Sequence, residues 1–225
     1  MALRSFQDIF ERAAERKGGD GAIEAVLPTP KSPKALARVA DSRWLAGMTR
    51  AIFQAGFSWK VVESKWPGFE NAFWGFEPAR CAMLSDEDLD RLVADTAIIR
   101  NARKILSVRD NAIFCNELAA EHGSVGKAIA NWPDEDFVGL STLLKKRANR
   151  LGGNSGLYFL RQMGRDGWVL SASVVAALRH EGVVTKAPTS QRDLKAVQAA
   201  FDAWRQESGR PMMQISRVLA LSVDG

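Results

Sequence analysis

The 225 residues hold only two cysteines, two histidines and one tyrosine. Cys81 and Cys115 lie far apart and neither has a CxxC partner, so they read as reduced, buried thiols. A zinc site built from Cys81, Cys115, His122 and His180 lacks any ligand spacing that zinc proteins use, so no zinc is expected. No apolar run approaches the roughly 18 to 20 residues of a membrane span. The N-terminal stretch has no apolar core of a leader peptide, so no membrane role and a cytoplasmic location are expected. Neither a GxGxxG nor a Walker A pattern occurs, which removes the common dinucleotide and nucleoside-triphosphate sites. Alternating β-branched stretches are short and isolated, such as Val183 to Thr185.

Helical signals fill the space that those absences leave. In MALRSFQDIFERAAERK, Phe6, Ile9, Phe10 and Ala13 share one face. Ser85 opens SDEDLDRLV with Asp88 three residues on, a capping-box arrangement with acids crowding the first turn. Ser190 opens a second long helix with Leu194, Val197, Phe201 and Trp204 in helical register. Asp134 to Lys146 reads as a helix after the Trp132-Pro133 break, and Gly182, Gly209 and Pro211 mark stops and restarts. The expectation is an all-α chain of about ten helices. Residues 1–34 form a first helix followed by a Gly/Pro-rich linker segment, and residues 35–225 form the main domain.

One kind of charge is missing from one place. From Ser141 to Arg165 there are six basic residues and no Asp or Glu, so this window carries more positive charge than the +5 of the whole chain. A charge run of this kind is either a solvated helix face or a phosphate-binding surface. The centre of the window, Leu151-Gly-Gly-Asn-Ser-Gly156, separates one helix from the next. Glycines at a helix start leave backbone N–H groups uncovered, where an anion can sit. The pattern is that of a helix-hairpin-helix turn over about residues 143–165, or of a plain turn between two helices. Asp166 follows the second helix. A carboxylate placed near C1′ of a deoxyribose stabilises the positive charge that develops as an N-glycosidic bond breaks, and it can orient water; a helix cap is the alternative role. No lysine lies between Arg150 and Lys186, so the second hairpin helix and the loop after it offer no amine nucleophile.

Three blocks, in order, give this pattern a family. FQAGFSWKVVESKWPGFENAFWGFEP (53–78), IIRNARKILSVRDNA (98–112) and LSTLLKKRANRLGGNSGLYFLRQMG (140–164) resemble the segments of the DNA-3-methyladenine glycosylase I (Tag-like) family. The resemblance implies a two-lobed, all-α helix-hairpin-helix DNA glycosylase fold. It implies a monofunctional enzyme that hydrolyses the N-glycosidic bond of alkylated purines in double-stranded DNA during base excision repair. Trp59 matches the family's pocket tryptophan, whose electron-rich indole attracts a cationic base. Phe57 and Trp66 are further aromatic candidates for the base pocket. Asp166 lies near the position of the superfamily's catalytic aspartate. Lys145, Lys146, Arg147 and Arg150, with the backbone of Gly152, Gly153, Asn154, Ser155 and Gly156, are the candidates for gripping the DNA backbone. The superfamily further implies a K+ or Na+ ion at the carbonyls of Leu151, Gly153 and Gly156; no other cofactor is expected, and monomer is the default state. Two departures stand out. Ala51 occupies the position of the family's base-reading glutamate, and the N-terminal tyrosine-histidine element is missing. They leave the lesion open, and they leave a non-catalytic protein that binds damaged or bent DNA as the rival reading.

Overall fold

The computed structural model describes residues 3–224. Among these the chain is α-helical throughout, with no strand. The helices are α1 (Phe6–Lys17), α2 (Asp20–Glu24), α3 (Pro33–Ala37), α4 (Asp41–Gln54), α5 (Trp59–Ala72), α6 (Pro78–Cys81), α7 (Asp86–Ala94), α8 (Ala102–His122), α9 (Val125–Ala130), α10 (Phe137–Arg147), α11 (Asn154–Met163), α12 (Ala172–His180), α13 (Gln191–Ser208) and α14 (Met212–Leu221). The excess over the ten expected consists of helices of four to six residues, too short to show a period in sequence. The segment 18–34 contains parts of two of them, and Ile23 within it is fully buried. The isolated β-like stretch at Val183 to Thr185 is a loop after α12.

Local rules account for the helix ends. Ser85 accepts from the Asp88 N–H while Asp88 accepts from the Ser85 N–H, the reciprocal box that the sequence spelled. Ser190 caps α13 in the same sense, and Gly209 closes it in the left-handed conformation. Asp134–Asp136 is a single 3-10 turn and the α-helix starts only at Phe137.

The helices form two compact units that interleave in sequence. The first takes the described residues through Lys31, then Pro133–Gly139, then everything from Gly164 onward. In it α14 packs against α1, α12 and α13. Its aromatic core runs Phe137, Trp168, Phe201, Trp204, with neighbouring ring centroids 5.2–6.0 Å apart. The α1 face of Phe6, Ile9, Phe10 and Ala13 is buried as its spacing requires. Glu181, almost wholly buried, ties α1 to the end of α12. It accepts from Arg4 Nε at 3.0 Å and from Arg12 at 2.5 Å, and it bonds His180.

The second unit comprises Ser32–Trp132 and Leu140–Met163. Here α4 is central, packed on α8 and α11. Trp66, Phe69, Phe73 and Phe76 stack beside it with interplanar angles of 10–22°. Cys81 and Cys115 are buried in this unit as free thiols. Burial pushes the Cys81 thiol up to about 12 and that of Cys115 higher still, so both stay protonated. No described helix is long and apolar enough to cross a membrane.

The Glu181 cluster gives a pH test. Burial pushes its carboxyl up, but the hydrogen bonds from Arg12 and His180 and the Arg12 charge outweigh this and hold it below its usual range. A lowered folded value means stabilisation that is present above the unfolded value and lost as pH falls through the folded one. Glu181→Gln is therefore expected to cost about 1.5–3 kcal/mol near neutrality. The gap in Tm between it and the wild type should close as the pH falls below the ordinary glutamate value of about 4.3, as followed by thermal melts at stepped pH.

Candidate functional site

The hairpin is built within the second unit from the part of α10 after Gly139, a turn over 148–153, and α11. Two residues of the turn, Arg150 (φ 62°) and Gly153 (φ 60°), are left-handed. For an arginine that conformation costs about 1–2 kcal/mol, so something must hold it. Asn111, fully buried on α8, does so from the side. Its Oδ1 accepts from the Asn149 N–H at 2.7 Å, and its Nδ2 donates to the Asn149 carbonyl at 3.1 Å. The Asn149 side chain donates to Asp110 at 2.6 Å. The Gly153 carbonyl then accepts from the Leu157 N–H, opening α11. A Cβ at Gly156 would stand 2.3 Å from the Leu151 carbonyl oxygen, so only glycine allows the turn to fold back this tightly. Asn154, Ser155 and Gly156 thus form the first turn of α11.

Two cavities adjoin this helix start. One, of about 300 Å³, is lined by Ala51, Gln54, Ala55, Trp59, Asn154, Ser155, Tyr158 and Gln162. That volume lies at the lower end of small-molecule sites. Trp59 opens α5 and is 52% exposed; the Tyr158 ring meets it at 6.2 Å and 89°, an edge contact that holds the indole upright. The other cavity, of about 340 Å³, is lined by Ile52, Ala55, Lys104, Arg150, Gly152 and Ser155. Ala55 and Ser155 belong to both. An apolar aromatic slot and a cationic recess therefore share a wall.

Lys104 is the group that sequence reading missed. It is 7% exposed, yet its ammonium donates to the carbonyls of Ile52 at 2.7 Å and Ala55 at 2.6 Å, with Phe53 O at 3.4 Å. These are the last carbonyls of α4 and its cap. A cation here satisfies them and complements the negative end of the helix dipole. Burial, and then the Arg150 charge, push its pKa down.

The sequence-derived candidates divide. Trp59 lines the slot. Phe57 does not; its ring lies 4.7 Å from the Lys104 ammonium in the α4–α5 loop. Trp66 is 8% exposed, stacked between Phe69 and Phe76 under Arg50, with its Nε1 donating to Glu70, so it is a core residue and not a base-pocket one. Lys145 and Lys146 are exposed at the end of α10, and Arg150 lines the recess. Arg147 is engaged elsewhere. It bridges Glu117 and Glu121 of α8 at 3.1 and 2.6 Å over the Phe114 ring, which removes it from the free positive charge of the hairpin. Arg165, counted in the basic window, is 4% exposed and paired with Asp134 at 2.7 Å.

Asp166 lies in the first unit, ahead of α12. Its two oxygens accept from the Met212 and Met213 N–H groups at 3.0 and 2.9 Å. It thereby caps α14, whose Pro211 offers no side-chain cap of its own. The capping role anticipated as its alternative is filled, across more than forty residues of sequence.

The methyladenine glycosylase family model matches residues 38–150, half of the chain. DNA-3-methyladenine glycosylase 1 of Escherichia coli (strain K12) is 41% identical over 59 residues, 26% of this chain and 32% of that protein. The chain thus spans about a third of the length of that curated relative. A crystal structure of 3-methyladenine DNA glycosylase I (TAG) superposes with a TM-score of 0.51 at 22% identity, covering 62% of this chain and 83% of the other. A second, the 3-methyladenine DNA glycosylase I (TAG) from Staphylococcus aureus, gives 0.52 at 22% identity, covering 64% and 82%. The likeness establishes a shared all-α fold.

Removing the buried clamp tests the hairpin architecture. Asn111→Ala leaves the Asn149 N–H and carbonyl unpaired and is expected to lower stability by about 1–3 kcal/mol, read by urea unfolding. Asp110→Ala, which loses only the outer bond, should cost less.

Proposed function

The chain belongs to the methyladenine glycosylase family, and from that premise we propose that it is a monofunctional DNA glycosylase, hydrolysing the N-glycosidic bond of alkylated purines in double-stranded DNA. The observation that carries this reading is the shared wall. Ser155, at the start of α11, faces the slot of Trp59 on one side and the recess of Lys104 and Arg150 on the other. A nucleotide flipped out of a duplex needs a stacking surface for its base and an anion site for its phosphate within one nucleotide of each other. Two adjoining cavities meet that need.

Each part then has a task. Trp59 stacks on the extruded base, and a cationic alkylated purine gains from the indole face. The backbone of Gly152 to Gly156 at the start of α11, together with the Arg150 guanidinium, receives a phosphate next to the lesion. Lys145 and Lys146 add sequence-independent attraction. A K+ or Na+ ion at the Leu151, Gly153 and Gly156 carbonyls belongs to the same proposal; it would add positive charge beside the phosphate. Asp166 enters as the candidate for supporting the sugar cation and the attacking water. The two N–H bonds from α14 fix its orientation, and a carboxylate offers about four lone-pair sites in all. With no lysine at Leu157, water rather than an amine is the nucleophile. A cytoplasmic, monomeric repair enzyme is the corresponding setting.

Methylated double-stranded DNA, incubated with the protein and analysed for free bases by mass spectrometry, should yield a methylated purine. Trp59→Ala should lower kcat/KM by about 5- to 150-fold, the range of one lost base stack. Asp166→Asn keeps one of the two acceptors at the cap and sets an NH2 against the other N–H, so Tm should fall; kcat, measured well below that Tm, should fall much further, and unaltered release would leave Asp166 as a cap only. Salt-sensitive DNA binding without release of any base would contradict hydrolysis. Lys145→Ala should lower the slope of log K against log salt by about one unit, measured by fluorescence anisotropy.

A further inference from the structure

The base slot has no carboxylate among its lining residues, yet it contains an amide chain that a carboxylate orders from outside. Gln54, 8% exposed at the end of α4, donates its Nε2 to Glu63 Oε1 of α5 at 3.2 Å. Gln162, on the last turn of α11, donates its Nε2 to Gln54 Oε1 at 2.7 Å. An ionised carboxylate only accepts, so the amide group that faces Glu63 must be the NH2. That choice turns the Gln54 oxygen toward Gln162, which must then present its own NH2. Each amide has one remaining way to point. The Gln162 Oε1 is left as an acceptor, and among the described residues no donor takes it. Arg50, 3.5 Å from Glu63 Oε1, helps hold the anchor in place.

We propose that Gln162 is the base-reading residue of the slot, a neutral acceptor whose polarity Glu63 sets through Gln54, and that it selects purines bearing an exocyclic amino group. This deepens the glycosylase reading and rests on it. The hydroxyls of Ser155 and Tyr158 also line the slot, but a hydroxyl rotates to meet either a donor or an acceptor and cannot discriminate between them. An ordered amide cannot turn without breaking the chain behind it. The position that the family resemblance gives to a glutamate is Ala51 here, on the wall of the same slot, where a methyl group offers no hydrogen bond. The acceptor has thus moved from α4 to α11 and lost its charge. Discrimination in favour of a cationic base then falls to the indole of Trp59, and the amide reads only the hydrogen-bonding edge. Gln162 would touch the base; Glu63 and Gln54 are positioning residues.

The test uses free bases, so it does not depend on hydrolysis. Tryptophan fluorescence of the full chain is titrated with 3-methyladenine and with 3-methylhypoxanthine, in which a carbonyl replaces the amino group. The wild type should prefer 3-methyladenine by about tenfold, the worth of one neutral hydrogen bond. Gln162→Leu should bring the two affinities together. Glu63→Gln lets the amides point either way and should reduce the preference while the binding signal persists. An unchanged preference in Gln162→Leu, or none in the wild type, overturns the proposal, as does failure of both bases to bind. Base release from methylated DNA, run in parallel, separates the two levels. Release without a Gln162-dependent preference sinks the reader and keeps the enzyme. Absence of both release and binding sinks both.

Discussion

The arrangement of the second unit depends on a cation placed where a helix ends. α4 stops at Gln54 with its last carbonyls turned toward α8, and the Lys104 ammonium fills that position. Without it those carbonyls would be buried and unpaired, a penalty of about 1–3 kcal/mol for each group. With it, the loop from Ala55 to Ser58 starts from a fixed point, and Trp59 opens the next helix at the wall of a cavity. The same ammonium forms part of the neighbouring recess with Arg150. One side chain therefore closes a helix, positions an aromatic residue and contributes charge to an anion-sized space.

A second constraint acts on the hairpin. Its turn holds an arginine in a left-handed conformation and brings a carbonyl against a glycine, neither of which a free loop would favour. Asn111 answers this from a long, buried helix by occupying both backbone groups of Asn149. The first turn of α11 is presented by packing that is already complete. Preorganised N–H groups lose little on meeting a phosphate, because their direction is set before the ligand arrives.

Much of this was legible in the sequence because it follows from local rules. The amphipathic face of α1, the serine caps at Ser85 and Ser190, the glycine stop at Gly209 and the two helices of the hairpin all depend on residues within a few positions of one another. What was not legible depends on chain segments that meet late. Trp59 and Trp66 sit in one motif, seven residues apart, and only the folded α5 separates the exposed ring from the stacked one. Arg147 looks like a free cation until α8 brings Glu117 and Glu121 beside it. Asp166 receives its partners from a helix more than forty residues on. Lys104, Gln54 and Gln162 carry no local signal, since their partners come from other elements. The interleaving of the two units has no mark in composition, because it is set by where helices pack and not by where the chain changes texture.

The central claim is that the Trp59 slot and the Lys104–Arg150 recess receive the base and the phosphate of one extruded nucleotide. The most direct measurement is a crystal structure of the protein with a duplex that carries a cationic pyrrolidine in place of one deoxyribose, grown with free 3-methyladenine. The account predicts the base stacked on Trp59 within the slot and a backbone phosphate at Gly152 to Gly156, beside Arg150. A duplex bound on another face, or a phosphate at the hairpin with the base excluded from the slot, would contradict it.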